Sequence, residues 1–508
     1  EDLSVFVGGD SVNVGSNTAL RLWVAQYHGD SGKHFKMLKS TLTNGRNDIG
    51  KVDMSDMPAA VGEQGGALYV QFLSSNRNQH YTVRTFGGTP IPVLDLHGVT
   101  DKSQRVTLCD EYLGKLRSYV QGLEADHNDK HSGSYNPREC PLNTTDIVID
   151  RIMFSVPASR ALDGVGTSGD GAKLESTLAK ADEMMNLFYQ HKGLTDKALT
   201  DAEKAKYGDQ NGIPAGRQNI RYTNMSGGVF MYAAGNHIGI QYNESANPTA
   251  LPGAFFDSNG KWQSGQYYGW GMRHEIGHEI NQRQYTYAEV TNNYYSQLGG
   301  MVTESDEGLR WNYDNVYNRV TSGLKGMPGG STGIALYWQL HLAYDDGYNY
   351  KQYDSYTEQM ENLVFARMDS IARNPSTAPM AEAGGVAFTL SGADRDNALM
   401  RLASAATKKN LLPFFEAWGL TPDEGTRSYA AQWPVEERAI QYISDTVREY
   451  RITGGGDARG AHVLADDSNG KQGMTVVPNS SSVVFNLKND LSGGNQSKFL
   501  GYEISRDG

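Results

Sequence analysis

Along residues 1–98, apolar and polar positions alternate in short runs. "ALRLWVAQYHGD" and "GGALYVQFLSS" set β-branched and aromatic residues between Gly, Asn, Asp and Ser, which predicts strands of a small β-sandwich. "FGGTPIPVLDLHG" closes the region with Pro and Gly. From about residue 99 the period becomes helical. "DKSQRVTLCDEYLGKLRSYVQGLEADH" predicts a helix, and "GAKLESTLAKADEMMNLFYQHKG" a long helix with a Gly stop. "NTTDIVIDRIMFSVPA" contains a buried strand, and "GGVFMYAAGNHIGIQY" reads as two short strands around a turn at Gly235-Asn236. Further helices are expected in "STGIALYWQLHLAYDD", "SYTEQMENLVFARMDSIAR" and "DNALMRLASAATKKNLLPFFEAWGL", ending near Arg451. "TGGGDARG" is a linker, and "GMTVVPNSSSVVFNLKND" with "KFLGYEIS" predicts a partial β module. The expected fold is therefore multidomain α+β. Its parts are an N-terminal sandwich (1–98), a mixed domain (99–395), a C-terminal helical region (396–452) and a linker with a partial β tail (453–508).

A chain of 508 residues suits three or four domains with real cores. The net charge of −12 argues against a nucleic-acid surface and a polybasic membrane patch. Abundant Gly (58) and Tyr (29) fit a secreted, carbohydrate-facing protein. Cys109 and Cys140 form one disulfide or stay as buried thiols; two cysteines cannot staple a chain this size. No apolar run reaches the ~18 residues of a membrane helix, so no membrane insertion is expected. "EDLSVFVGGD" is no signal peptide, so a processed or excised chain is expected. "KFLGYEISRDG" reads as a strand cut off at a turn, with natural sequence continuing beyond it.

One stretch carries chemistry: "GWGMRHEIGHEINQRQYTYAEVTNN", residues 269–293. His274, Glu275 and His278 stand in the spacing H-E-x-x-H. On a helix, positions i and i+4 share a face, so both imidazoles point at one ion. Glu275 lies beside that face, placed to take a proton from water. Gly277 costs helix stability and serves close backbone approach rather than a structural helix. The plain alternative is an exposed helix with scattered His and Glu. A third ligand is needed. Position 281 is Asn and 284 is Gln, so the three-histidine pattern fails. Glu289 is the best candidate, expected on a second helix that returns over the first, with Glu304 and Glu307 as competitors. Glu279 faces another way. Asn293, four residues after Glu289, is either a support for a ligand histidine or a polar helix residue.

"WGMRHEIGHEINQ" followed by "EVTNN" resembles the M60-like (enhancin-type) zinc metallopeptidases, which are gluzincins. "VFMYAAGNHIGIQY" is similar to the family's strand pair beside the active site, and "ALYWQLHLAYDD" and "LLPFFEAWGL" to its later helices. The N-terminal β region also resembles the sandwich before these catalytic domains, and the likeness covers roughly residues 1–450. It implies a gluzincin-type catalytic domain in 99–395 with one Zn2+ per chain held by His274, His278 and Glu289, and Glu275 as general base. It further implies a secreted or cell-surface bacterial enzyme, clostridial in type. Such an enzyme cuts mucin-type O-glycoproteins next to, and N-terminal to, a GalNAc-bearing Ser or Thr. Tyr294, Tyr295 and His341 are candidate oxyanion donors. "AGNHIGIQY" offers an edge strand to an extended peptide, with His237 read as structural. Candidate glycan contacts are Trp270, Arg310, Trp311, Asn312, Asp314, Trp338 and Gln339, with Asn281 and Gln282 lining the site. A monomer is expected. Two other readings stand beside this one: a zinc endopeptidase with no glycan requirement, and a mucin-binding protein with a vestigial metal site. The intact Glu275 argues against the second.

Overall fold

The computed structural model describes residues 2–9, 13–26, 35–56, 65–76, 78–130, 135–137, 140–165, 170–223, 231–235, 237–241, 266–302, 309–345, 353–445, 474–478 and 483–487. The chain divides into two compact units. One comprises residues 1–185, 214–280 and 298–307; the other comprises 186–213, 281–297 and 308–508.

In the first unit, β1 (Leu3–Gly8), β2 (Leu20–Ala25), β3 (Phe35–Lys39), β4 (Gly45–Gly50), β5 (Ala67–Phe72) and β6 (Thr82–Phe86) form two antiparallel three-stranded sheets, ordered β4-β1-β6 and β3-β2-β5. Alternation turns Val5 and Val7 of β1, and Leu20 and Leu22 of β2, inward. With Leu3 and Leu42 they make one buried cluster shared by both sheets. Each such side chain contributes roughly 1.5–3 kcal/mol.

A six-stranded mixed sheet follows: β7 (Val93–Asp95), β8 (Thr145–Val148), β9 (Ile152–Val156), β10 (Gln218–Thr223), β11 (Met231–Ala233) and β12 (Ile238–Gln241), ordered β11-β12-β10-β9-β8-β7. β10 runs parallel to both neighbours, and its last four residues are all buried. β11 and β12 pair antiparallel, as a hairpin requires. Among the described residues β11 is one edge strand of this sheet; β12 lies between β11 and β10, so "HIGIQ" is an internal strand rather than the expected edge. Tyr69 of β5 donates to the buried Asp146 of β8 (3.1 Å), and the Arg221 guanidinium of β10 sits 4.3 Å from the Phe35 ring. These contacts tie the sandwich to the sheet. Helix Lys102–Lys130 belongs to this unit. Cys109 and Cys140 are free thiols, and burial pushes the Cys109 thiol up to about 12.

The second unit is mainly helical. Here the Gly193 and Leu194 N–H groups donate to the Gln190 and Tyr189 carbonyls, with Gly193 at φ 63. The stretch expected as one helix over 355–373 is two, Tyr356–Asn362 and Val364–Arg373. Leu363 between them is extended and buried, packed with Tyr356, Met360 and Ala366, and the freed Val364 N–H donates to Asp345 (2.7 Å). "DNALMRLASAATKKNLLPFFEAWGL" likewise splits into Arg395–Thr407 and Leu412–Ala417. Lys408 turns left-handed (φ 53), and a proline starts the second helix. Met474–Pro478 and Val483–Leu487 pair antiparallel; "TGGGDARG" and "KFLGYEIS" lie outside the described residues. Among the described residues no helix is long and apolar enough to cross a membrane.

Candidate metal centre

A π-helical turn, Gln266–Gly271, runs directly into the α-helix Met272–Ile280. The buried Arg273 guanidinium fixes the junction by donating to the Gly269 carbonyl (2.7 Å). Met272 and Ile276, four residues apart, anchor the helix in the core. His274 and His278, also four apart, are half-buried. Their Nε2 atoms lie 3.2 Å apart, with the rings nearly perpendicular at 84°. Two nitrogens each ~2.05 Å from a tetrahedral zinc ion would be about 3.3 Å apart. The imidazole pair therefore fits such an ion. Glu275 is 8% exposed, and the ligand atoms of His274, Glu275 and His278 all lie within 4.8 Å of one another. This places a carboxylate beside the pair, where it can take or return a proton.

The same helix holds the edge of the mixed sheet. Glu279 Oε1 accepts from the Gly235 N–H (2.6 Å), in the turn between β11 and β12, where Gly235 has φ 77. The hairpin closes through Ala234 N–H to the His237 carbonyl (3.0 Å) and through Tyr232 Oη and His237 Nε2, 2.8 Å apart. Burial, with Arg221 nearby, pushes the His237 imidazole down to about 4, so it is neutral at pH 7 and structural in its contacts. The Tyr232 ring occupies the space a side chain at Gly239 would need. A Cβ there would sit 2.2 Å from Tyr232 Cε1 and 2.7 Å from Thr223 Cγ2. Gly239→Ala is expected to destabilise the fold by about 1–3 kcal/mol, read as a lowered denaturation midpoint; an unchanged midpoint would show that Tyr232 does not lie there.

Glu289 is exposed and sits in the turn before the helix Asn292–Val302, with φ 63. Contrary to the reading of the spacing, it does not share a helical face with Asn293. Instead the Asn293 side-chain amide donates to the Glu289 carbonyl (2.8 Å), closing the turn that carries the carboxylate. Glu304 and Glu307 lie outside the described residues. Asn281 Oδ1 and Gln282 Nε2 are buried without a hydrogen-bond partner among the described residues.

Two of the three oxyanion candidates meet in a buried cluster. Tyr294 Oη is 3.0 Å from His191 Nδ1 and 3.5 Å from His341 Nδ1, and His341 hydrogen-bonds Asp345. Burial alone would raise the Asp345 carboxyl, but the His341 and His191 imidazoles overcome it and hold it below the ordinary range. Sequence reasoning missed His191 and Asp345. The i, i+4 spacing of His341 and Asp345 was a readable signal; the approach of His191 was not. Tyr295 is buried edge-on to Phe188, ring centroids 5.4 Å apart.

Of the candidate glycan residues, Arg310, Asn312 and Asp314 are exposed, and Asn312 caps the helix Tyr313–Thr321. Trp270 and Trp311 are buried to 8% and 7% exposure. Trp338 and Gln339 are wholly buried. The Trp338 indole N–H donates to Asp445 (2.7 Å), and Gln339 donates to the Gln441 carbonyl (2.7 Å) while accepting from Trp418 (3.1 Å). A sugar platform needs an open face, so these two are core residues rather than the expected glycan contacts.

Residues 252–419 match the family described as peptidase M60, enhancin and enhancin-like. The fold is similar to that of the M60 catalytic domain of Clostridium perfringens ZmpC, solved in complex with the sialyl T antigen. Identity is 18%, covering 97% of this chain and 82% of that one, with a TM-score of 0.62. The ZmpB metallopeptidase of the same organism is similar at 19% identity, with 97% and 83% covered and a TM-score of 0.63. A metallopeptidase in complex with Tn antigen is similar at 16% identity, with 98% and 82% covered and a TM-score of 0.59. No curated protein matches the chain by sequence. At these identities the structural likenesses speak for the fold, and the sequence match speaks for the peptidase domain. The segment that matches the peptidase M60, enhancin and enhancin-like family, residues 252–419, contains the paired imidazoles and the glutamate between them.

Proposed function

We propose that this chain is a secreted bacterial zinc peptidase that cuts the backbone of mucin-type O-glycoproteins on the N-terminal side of a GalNAc-bearing Ser or Thr. The observation that carries the peptidase reading is the His274–His278 pair, 3.2 Å apart and spaced for one ion, with Glu275 beside it. His274 and His278 supply two ligands, and Glu289 is assigned as the third from its offset in the sequence motif. A zinc ion so held supplies Lewis acidity and lowers the pKa of water to about 7. Glu275 removes a proton from the attacking water and delivers it to the leaving amine nitrogen. The edge strand β11 pairs with the extended substrate backbone. Exposed Arg310, Asn312 and Asp314 supply the donor and acceptor types that a sugar requires. The glycan part of the reading is supported by the antigens bound to two similar proteins, the sialyl T antigen and the Tn antigen.

The test is a matched pair of peptides, one carrying a single GalNAc-threonine and one unmodified, with products identified by mass spectrometry. Cleavage of the glycopeptide alone, before the modified threonine, is expected. Cleavage of both at similar rates would replace this reading with a zinc endopeptidase that has no glycan requirement. Cleavage of neither by the zinc-loaded chain would favour a mucin-binding protein.

A further inference from the structure

We propose that Glu279 is a positioning residue that sets where the substrate-pairing edge strand stands relative to the metal helix. The inference rests on the peptidase reading above. A peptide added to an edge strand is held by main-chain hydrogen bonds at fixed spacing, so its register follows the strand. The scissile bond then reaches the imidazole pair only if β11 is fixed against the helix that carries His274 and His278.

The geometry supplies that link. Glu279 directly follows His278, so one helical turn orients both side chains. Its carboxylate accepts the Gly235 N–H at 2.6 Å, a charge-assisted bond to the turn that ends β11. Gly235 has a left-handed backbone, which favours glycine at this point of attachment. The hairpin behind it is closed on itself by the Tyr232–His237 pair and the Ala234–His237 backbone bond. The Tyr232 ring also lies in the notch at Gly239. The hairpin is therefore tied together internally, and the Glu279 carboxylate ties it to the metal helix. Nothing in this requires Glu279 to touch substrate or ion.

The test compares Glu279→Ala and Glu279→Gln with the wild type on the peptide it cleaves, with zinc content and hydrogen exchange at the Gly235 amide read in parallel. For Glu279→Ala, KM is expected to rise about tenfold while kcat stays within about twofold. Zinc content should be unchanged, and the Gly235 amide should exchange faster. Glu279→Gln keeps a carbonyl acceptor and should recover most of the KM. Binding of the same peptide to Glu275→Ala, with and without Glu279→Ala, should weaken by the same factor as KM rises. A fall in zinc content and kcat at constant KM would overturn the inference and give Glu279 to the metal centre. An unchanged KM despite faster Gly235 exchange would overturn it as well. A wild-type chain that cleaves neither peptide of the matched pair would overturn the peptidase reading and this inference with it. A cleaving wild type whose Glu279→Ala variant keeps its KM overturns this inference alone.

Discussion

Glu275→Gln is expected to lower kcat on the order of 10³-fold while leaving the fold and the metal content intact. The reason lies in what the substitution keeps and removes. Glutamine has nearly the same volume, so the 8%-exposed site stays filled and the helix Met272–Ile280 keeps its packing. The two imidazoles are untouched, so metal binding persists. A neutral amide cannot accept the proton that attacking water must lose, so the chemical step fails while substrate binding survives. Product formation followed by mass spectrometry, with metal analysis and a melting curve on the same sample, checks this. A variant that retains a tenth of the wild-type kcat would remove Glu275 from its assigned role.

His278→Ala should lose metal and activity together. The 3.2 Å separation of the two Nε2 atoms is what fits an ion, and one imidazole alone keeps none of that pairing. Even partners that only support a ligand typically cost 10–100-fold in metal affinity when removed, so loss of a ligand should cost at least about 100-fold. Titration against a competing chelator measures it. Under the proposed assignment of Glu289 as the third ligand, Glu289→Ala should also weaken affinity. Full metal affinity and full activity in Glu289→Ala would move the third ligand to Glu304 or Glu307. Undiminished metal in His278→Ala would contradict the site itself.

Much of this centre is legible without coordinates because its determinants are local. An H-E-x-x-H spacing on a helix brings His274 and His278 together through one turn of backbone, and no distant contact is needed. The sandwich strands announce themselves by alternation, as Val5 and Val7 or Leu20 and Leu22 show. Features set by distant partners are harder to read. Glu289 has the right sequence offset, but its left-handed backbone belongs to a turn that helical periodicity cannot reveal. Leu363 breaks an otherwise helical pattern because the Asp345 carboxylate, 19 residues away, receives the freed N–H. The helix Gly330–Tyr344 is buried on every side from Gly333 to Ala343. Its pattern therefore carries no face, and nothing in it separates a core Trp338 from a sugar-facing one. The cluster of His191, Tyr294, His341 and Asp345 joins positions more than 100 residues apart. Only the His341–Asp345 spacing within it is visible along the chain.

The most direct test of the central claim, a metal centre built on His274 and His278, is X-ray absorption spectroscopy of the zinc-loaded, tag-free chain. Two imidazole nitrogens are expected at about 2.0–2.1 Å, with oxygen ligands completing the shell. Both imidazole signals should vanish in the His274→Ala, His278→Ala double variant. A sulfur scatterer at about 2.3 Å, or an imidazole pair that survives in the double variant, would contradict it and place the metal elsewhere in the chain.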